Sequence, residues 1–118
     1  MLNKKDTIIE ETMNLNIPGL LNKKYEVFSS QIRLSVMLIL HSYRKVKIAE
    51  IQKAFNISSG KLEHHLNALE NDGLLRKKVD LFIKRALTTA EITEKGDQLL
   101  LEYLDIMKDT LKTIEQKK

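Results

Sequence analysis

The sequence contains no cysteine, one proline and four glycines, and each glycine stands alone, at position 19, 60, 73 or 96. Without cysteine the chain can form neither disulfides nor thiolate metal sites. Isolated glycines provide no glycine-rich phosphate loop, and the three histidines belong to no recognisable set of nucleophile, base and acid. We therefore expect a protein that is not an enzyme and that holds no cofactor and no metal.

Long apolar runs are also missing. The longest, Val36–Leu40, is far shorter than the roughly 20 residues that a membrane helix needs. Ile8 and Ile9 lie among acidic residues rather than in the apolar region of a secretory signal. A chain of 118 residues with 42% hydrophobic residues is enough for one domain with a modest core. A single-domain cytoplasmic protein that does not act at a membrane is the simplest interpretation.

The positive charge is concentrated in the middle of the chain. Residues 29–92 hold eleven lysines and arginines against six acidic residues, whereas residues 1–28 are balanced and residues 93–118 hold one more acid than base. This distribution suits a module that binds a polyanion and has neutral flanks. A chance imbalance of this size is the alternative.

Apolar residues recur at helical spacing in five segments, which predict helices over residues 3–16, 29–42, 48–55, 58–71 and from 93 onward. Pro18-Gly19 breaks the first helix, and residues 20–28 form a connector apolar enough to pack. Short extended segments are expected at Val46-Lys47, 74–79 and 87–92. The predicted fold class is α+β and mostly helical. The helix over 48–55 is expected to bury Ile48, Ile51, Ala54 and Phe55.

The helix over 58–71 has the clearest signals. Ser58 can cap its first turn, and Asp72-Gly73 can end it, because glycine accepts the left-handed backbone common after a helix. Leucines recur at i, i+4 and i+7, which predicts one apolar face turned to the core. The inward residues are Leu62, Leu66 and Leu69, and the outward residues are Lys61, Glu63, His64 and Asn67.

The stretch IAEIQKAFNISSGKLEHHL, residues 48–66, resembles the winged helix-turn-helix of prokaryotic and archaeal regulators of the ArsR and MarR kind. Residues 58–75 are similar to the recognition helix and its exit, and residues 88–96 to the return strand of the wing and the start of the last helix. The resemblance covers about residues 29–100. It implies an N-terminal helix and connector (1–28), a DNA-binding core (29–92) and a C-terminal dimerisation helix (93–118).

The resemblance also implies where DNA would bind. The recognition helix would enter the major groove, and the wing would lie on the flanking backbone. Asn can bond adenine, Glu can accept from cytosine, and Lys favours guanine or phosphate. The helix start can hold a phosphate. The candidate residues are Ser58, Ser59, Gly60, Lys61, Glu63, His64, His65 and Asn67 on the helix, and Lys77, Lys78, Lys84 and Arg85 on the wing.

Plainer alternatives exist for several of these residues. Glu63 can be a solubility residue, and Lys77-Lys78 can be a solvated strand face. His65 can pack at the junction of the helix pair or bond a phosphate. Adjacent histidines on a helix point in different directions, so His64-His65 does not predict a metal site.

The last helix carries a leucine-rich seam in steps of 4, 3, 4 and 3, of about two heptads. This pattern favours pairing of two copies, although packing of the seam on residues 3–16 within one chain is the alternative. The expected interface residues are Leu100, Leu104, Met107, Leu111 and Ile114.

Two features depart from the regulators that the chain resembles. Metal-sensing members of the ArsR kind use cysteines, so thiolate sensing is not implied here. The expected wing tip is apolar, at Val79 and Leu81-Phe82-Ile83, where a basic glycine-rich loop is more usual.

The leading hypothesis is a homodimeric, sequence-specific regulator that binds double-stranded DNA at a palindromic site, with no effector indicated. The apolar wing favours a second hypothesis, a winged-helix module that binds another protein in a larger assembly.

Overall fold

The computed structural model describes residues 4–80 and 87–116. These residues are mostly helical and include one small antiparallel sheet, which confirms the predicted fold class. The helices are α1 (Lys4–Asn14), α2 (Ile17–Leu20), a 3-10 helix (Lys23–Ser29), α3 (Gln31–Tyr43), α4 (Ile48–Phe55), α5 (Ser59–Asn71) and α6 (Glu94–Gln116). The strands are β1 (Lys45–Lys47), β2 (Leu75–Asp80) and β3 (Leu87–Ile92).

Hydroxyl side chains cap three of the helices. Ser30 Oγ accepts the backbone N–H of Arg33 at 3.2 Å, and Ser58 Oγ accepts that of Lys61 at 3.2 Å. Thr93 Oγ1 accepts the N–H of Gly96 at 3.0 Å at the start of α6. Each bond satisfies an amide that the helix itself leaves free. The cap predicted at Ser58 is therefore confirmed.

The helix ends follow the backbone preferences of single residues. Gly73 follows α5 with φ of 75°, as predicted, and Asn56 ends α4 with φ of 53°. Pro18 lies in the first turn of α2, where its missing N–H would have no helical partner in any case. Pro18 thus lies inside a short second helix, and the chain turns before it, at Asn16 with φ of 56°.

The sheet has the order β1-β3-β2, with both pairs antiparallel. Leu75 lies opposite Ile92, and both Val46 and Lys77 lie opposite Ala90. Side chains directly opposite each other lie on the same side of a sheet. Leu75, Ala90 and Ile92 are buried, so their side of the sheet faces the core.

Residues 27–100 form one compact unit with its own core. Leu62, Leu66 and Leu69 of α5 are each 1% exposed or less, so the predicted inner face of this helix is confirmed. Within α4 only Ile51 is fully buried. The predicted burial of Ala54 is wrong, because Ala54 lines an open groove between α3, β1 and α4. The core consists of Phe28, Val36, Met37, Leu40, Ile51, Leu62, Leu66, Leu69, Leu74, Leu75, Ala90, Ile92 and Leu100.

Residues 1–26 and 101–118 form a second compact unit. Tyr25 is 5% exposed, its ring centroid lies 5.4 Å from that of Tyr103, and its hydroxyl donates to Glu102 Oε2 at 3.3 Å. The Thr110 hydroxyl donates to the Leu15 carbonyl at 2.8 Å. The C-terminal part of α6 therefore contacts the N-terminal segment of its own chain through residues outside the leucine-rich seam.

The residues of the leucine-rich seam of α6 differ in how far they are buried. Leu100 is completely buried in its own chain and has no surface for a second copy, so its predicted place in a dimer interface is wrong. Leu104 is half-buried. Met107, Leu111 and Ile114 are 37%, 54% and 40% exposed. No described helix is both long enough and apolar enough to cross a membrane.

Candidate nucleic-acid interface

The outer face of α5 is polar and exposed over its whole length. Its inner face carries the three buried leucines, and the 3.6-residue period places the intervening positions on the opposite side. A Cβ built on Gly60 would have no described atom within 4 Å, so the backbone of the first turn is uncovered. The exposed candidates that the structure brings together here are Ser58, Ser59, Gly60, Lys61, Glu63, His64 and Asn67.

His65 differs from its neighbours because it is half-buried against α3. Arg33 Nη1 lies 3.2 Å from His65 Nδ1, and Arg33 Nε donates to the Val27 carbonyl at 2.8 Å. Burial, and then the positive charge of Arg33, lower the pKa of His65. A neutral imidazole can accept a hydrogen bond from the guanidinium. The structure therefore favours the packing alternative for His65, with Arg33 as a partner that the sequence alone did not indicate.

The rings of the two adjacent histidines are in contact. The ring centroids of His64 and His65 lie 5.3 Å apart in an edge-on arrangement. Within the described ranges, no three side chains of His, Cys, Asp or Glu come together as metal ligands. His64 remains exposed on the outer face of α5.

Lys77 connects α5 to the ribbon formed by β2 and β3. Its ammonium donates to Asn67 Oδ1 and lies 3.8 Å from Glu70 Oε1, and its backbone N–H donates to Glu70 Oε2 at 3.1 Å. Only 21% of the Lys77 side chain is exposed. Lys77 therefore positions Asn67 and braces the helix against β2. The sequence did not indicate this pairing, because the three residues become neighbours only through the register of the fold.

Lys78 lies on the other side of the ribbon. Its ammonium is 3.1 Å from Glu91 Oε2, and Arg76 Nη2 is 3.6 Å from Glu91 Oε1. The ammonium of Lys78 in particular, with help from Arg76, lowers the pKa of Glu91. The two wing lysines that the sequence grouped together thus serve opposite faces. Lys84, Arg85 and the apolar residues Leu81, Phe82 and Ile83 lie outside the described residues, and their roles stay predictions.

The helix pair α4–α5, joined by a tight turn and followed by the ribbon β2–β3, is a winged helix-turn-helix. The model of the winged helix DNA-binding domain family matches residues 32–111, and this chain belongs to that family.

Individual relatives agree with this assignment. The chain is 28% identical over 90 residues to an uncharacterised protein of Methanocaldococcus jannaschii, a match covering 76% of this chain and 98% of that protein. It is similar in fold to a transcriptional regulator homologue from Pyrococcus horikoshii OT3, with a TM-score of 0.76, 24% identity and coverage of 83% and 95%. The crystal structure of MarR is similar with a TM-score of 0.66, 14% identity and coverage of 98% and 83%. These findings confirm the winged-helix fold, which the chain shares with the solved structure of MarR.

Proposed function

We propose that this protein is a transcriptional regulator that acts by binding double-stranded DNA, not by catalysis, with α5 in the major groove. The observation that carries the proposal is the exposed polar face of α5, held in place by three buried leucines and the Ser58 cap. The family to which the chain belongs and the net positive charge of residues 29–92 support it.

The chemistry of the exposed face assigns roles to single residues. Lys61 is the third residue of α5, in its first turn, and reaches guanine or a phosphate. Glu63 accepts from cytosine, and Asn67, positioned by Lys77, bonds adenine. The free amides near Ser58 and Ser59 hold a phosphate, since a helix N-terminus favours negative charge.

A binding titration tests this proposal. Labelled fragments of genomic double-stranded DNA are titrated with the protein at two salt concentrations. We expect the affinity to fall as salt rises, because bound phosphates release counterions. The Lys61→Gln variant is expected to lose about 1–3 kcal/mol of binding free energy at its preferred site, the range for one base contact.

The matched control is Lys108→Gln, which removes the same charge from an exposed position on α6. It is expected to bind like the wild-type chain. Wild-type affinity that does not depend on salt would contradict the proposal and favour the protein-interaction module instead.

We further propose that two copies pair through apolar surface in the unit formed by residues 1–26 and 101–118. Exposed apolar side chains on two of its helices support this arrangement, since large exposed apolar patches mark interaction sites. Two copies of α5 that read one palindromic site would lie about 34 Å apart, one turn of DNA. The residues are Ile8, Ile9 and Met13 of α1, and Leu101, Met107, Leu111 and Ile114 of α6.

The dimer is tested by measuring the mass in solution by sedimentation equilibrium. We expect the wild-type chain to have twice its monomer mass of 13.7 kDa. A Leu111→Glu/Ile114→Glu variant is expected to sediment as a monomer, because it places charges at two exposed apolar positions of the seam. Lys112→Glu, on the same helix, serves as the control and is expected to stay dimeric. A monomeric wild-type chain would refute the pairing.

A further inference from the structure

The outer face of the sheet presents two rows of side chains that the proposed function does not use. In one row, Glu91 lies between Lys45 of β1 and Arg76 of β2. In the next row, Thr89, which is only 8% exposed, lies between Lys47 and Lys78. Four cations from two separate strands therefore share one face. We call Lys45, Lys47, Arg76 and Lys78, with Thr89 and Glu91 between them, the outer basic face.

The charge of this face is only partly neutralised. All four cations are exposed, and Glu91 is the one acidic residue in the two rows. Glu91 is paired with Arg76 and Lys78. Among the described residues, Lys45 and Lys47 form no ion pair. The outer basic face thus carries an excess of positive charge, with its two unpaired lysines on the edge strand.

The spacing of the cations suits a ligand with several negative charges. Positions i and i+2 on a strand lie about 7 Å apart, and strands two places apart are separated by about 10 Å. The Cα atoms of the four basic residues therefore form a rectangle of about these dimensions. Long lysine and arginine side chains that start this far apart can reach several phosphates along one nucleic-acid strand.

The composition of the two rows favours nucleic acid over an acidic protein. Protein–protein interfaces have apolar cores and are depleted in lysine. Protein–DNA interfaces are polar and strongly positive. The two rows contain lysine, arginine, threonine and glutamate and no apolar residue.

The outer basic face is distinct from the α5 surface. Lys77 contacts Asn67 and Glu70 of α5 from the opposite side of the same strand. Alternate residues of a strand point to opposite sides, so Arg76 and Lys78 are directed away from that helix. A straight duplex segment held by α5 would not lie along this face.

We propose that the outer basic face binds the phosphate backbone of double-stranded DNA outside the segment read by α5. The inference rests on the proposed function, because it gives a DNA-binding protein a second, sequence-independent contact. Lys45 and Lys47 are its most informative members, since their replacement leaves both ion pairs of Glu91 intact.

The test measures how affinity for a long double-stranded fragment varies with salt concentration. The probe variant is Lys45→Gln/Lys47→Gln. The control is Lys108→Gln/Lys112→Gln, which removes the same charge from exposed positions on α6. Each phosphate contact makes the slope of log affinity against log salt more negative by about 0.9. The probe variant, which loses two such contacts, is therefore expected to have a slope that is less steep by about 1.8. The control is expected to keep the wild-type slope, and circular dichroism verifies that both variants are folded.

Three other results would contradict the inference, and each has a different cause. A wild-type chain without salt-dependent DNA binding would refute this proposal together with the proposed function. Salt-dependent wild-type binding with equal slopes for probe and control variants would refute only the outer basic face. Polyglutamate is titrated in parallel. Loss of polyglutamate binding in the probe variant, without a change in the DNA slope, would assign the face to an acidic polypeptide instead.

Discussion

Replacing Gly96 with alanine is expected to destabilise the protein strongly. A Cβ at this position would overlap the carbonyl oxygen of Leu74, and it would lie 2.9 Å from the carbonyl carbon of Leu74 and 3.0 Å from Met37 Cε. The first two are backbone atoms that cannot rotate away. The start of α6 must therefore move away from Leu74, the residue before β2. Overpacking of this kind costs about 1–3 kcal/mol and sometimes more. Urea denaturation of Gly96→Ala measures the loss in free energy of unfolding.

Gly60→Ala provides the matched control, because the same methyl group would meet no described atom within 4 Å. Alanine is preferred to glycine inside a helix by up to about 1 kcal/mol. The control is therefore expected to be neutral or slightly stabilising. Equal losses in the two variants would contradict the close approach of α6 to Leu74.

The second large effect is expected for Leu69→Ala. Leu69 is completely buried on the inner face of α5. Removing a buried leucine side chain costs about 2–5 kcal/mol, because apolar contacts are lost and a cavity remains. The total stability of a small domain is about 5–15 kcal/mol, so this is a large part of it. A lowered midpoint of urea denaturation, with an unchanged slope, is the expected observation.

Leu21→Ala is the control for this change, since Leu21 is 77% exposed. A surface substitution of this kind is expected to alter stability by no more than about 0.5 kcal/mol. If Leu69→Ala proved as mild as Leu21→Ala, the inner face of α5 would not be the core contact that holds the candidate interface in place.

Much of the secondary structure was predictable because its signals are local. The bounds of the helix Ile48–Phe55 and the strand Leu87–Ile92 were predicted as observed. Apolar periodicity, a capping hydroxyl and a terminal glycine act within a few residues, so they can be recognised without knowing the fold. The exposed polar face of α5, the centre of the candidate site, followed from the same periodicity.

Burial in α4 and α6 was less predictable, because periodicity shows which side of a helix is apolar but not what covers it. Ala54 has the spacing of a core residue and lines an open groove. Leu100 has the spacing of an interface residue and is completely buried in its own chain. In both helices the packing of the neighbouring elements, and not the spacing of the apolar residues, decides the outcome.

The sequence by itself determined the five longer helices, the cap of α5 and the polar face of α5, since these depend on residues that are close together along the chain. Only the tertiary structure decided how α5 is braced and which surfaces carry positive charge. Arg33 and Lys77 reach their partners across 32 and 10 positions of sequence. Lys77 and Lys78 are neighbours in sequence, yet one faces α5 and the other belongs to the outer basic face. Strand alternation separates them, and the register with β3 and the packing of α5 decide which residues each one meets.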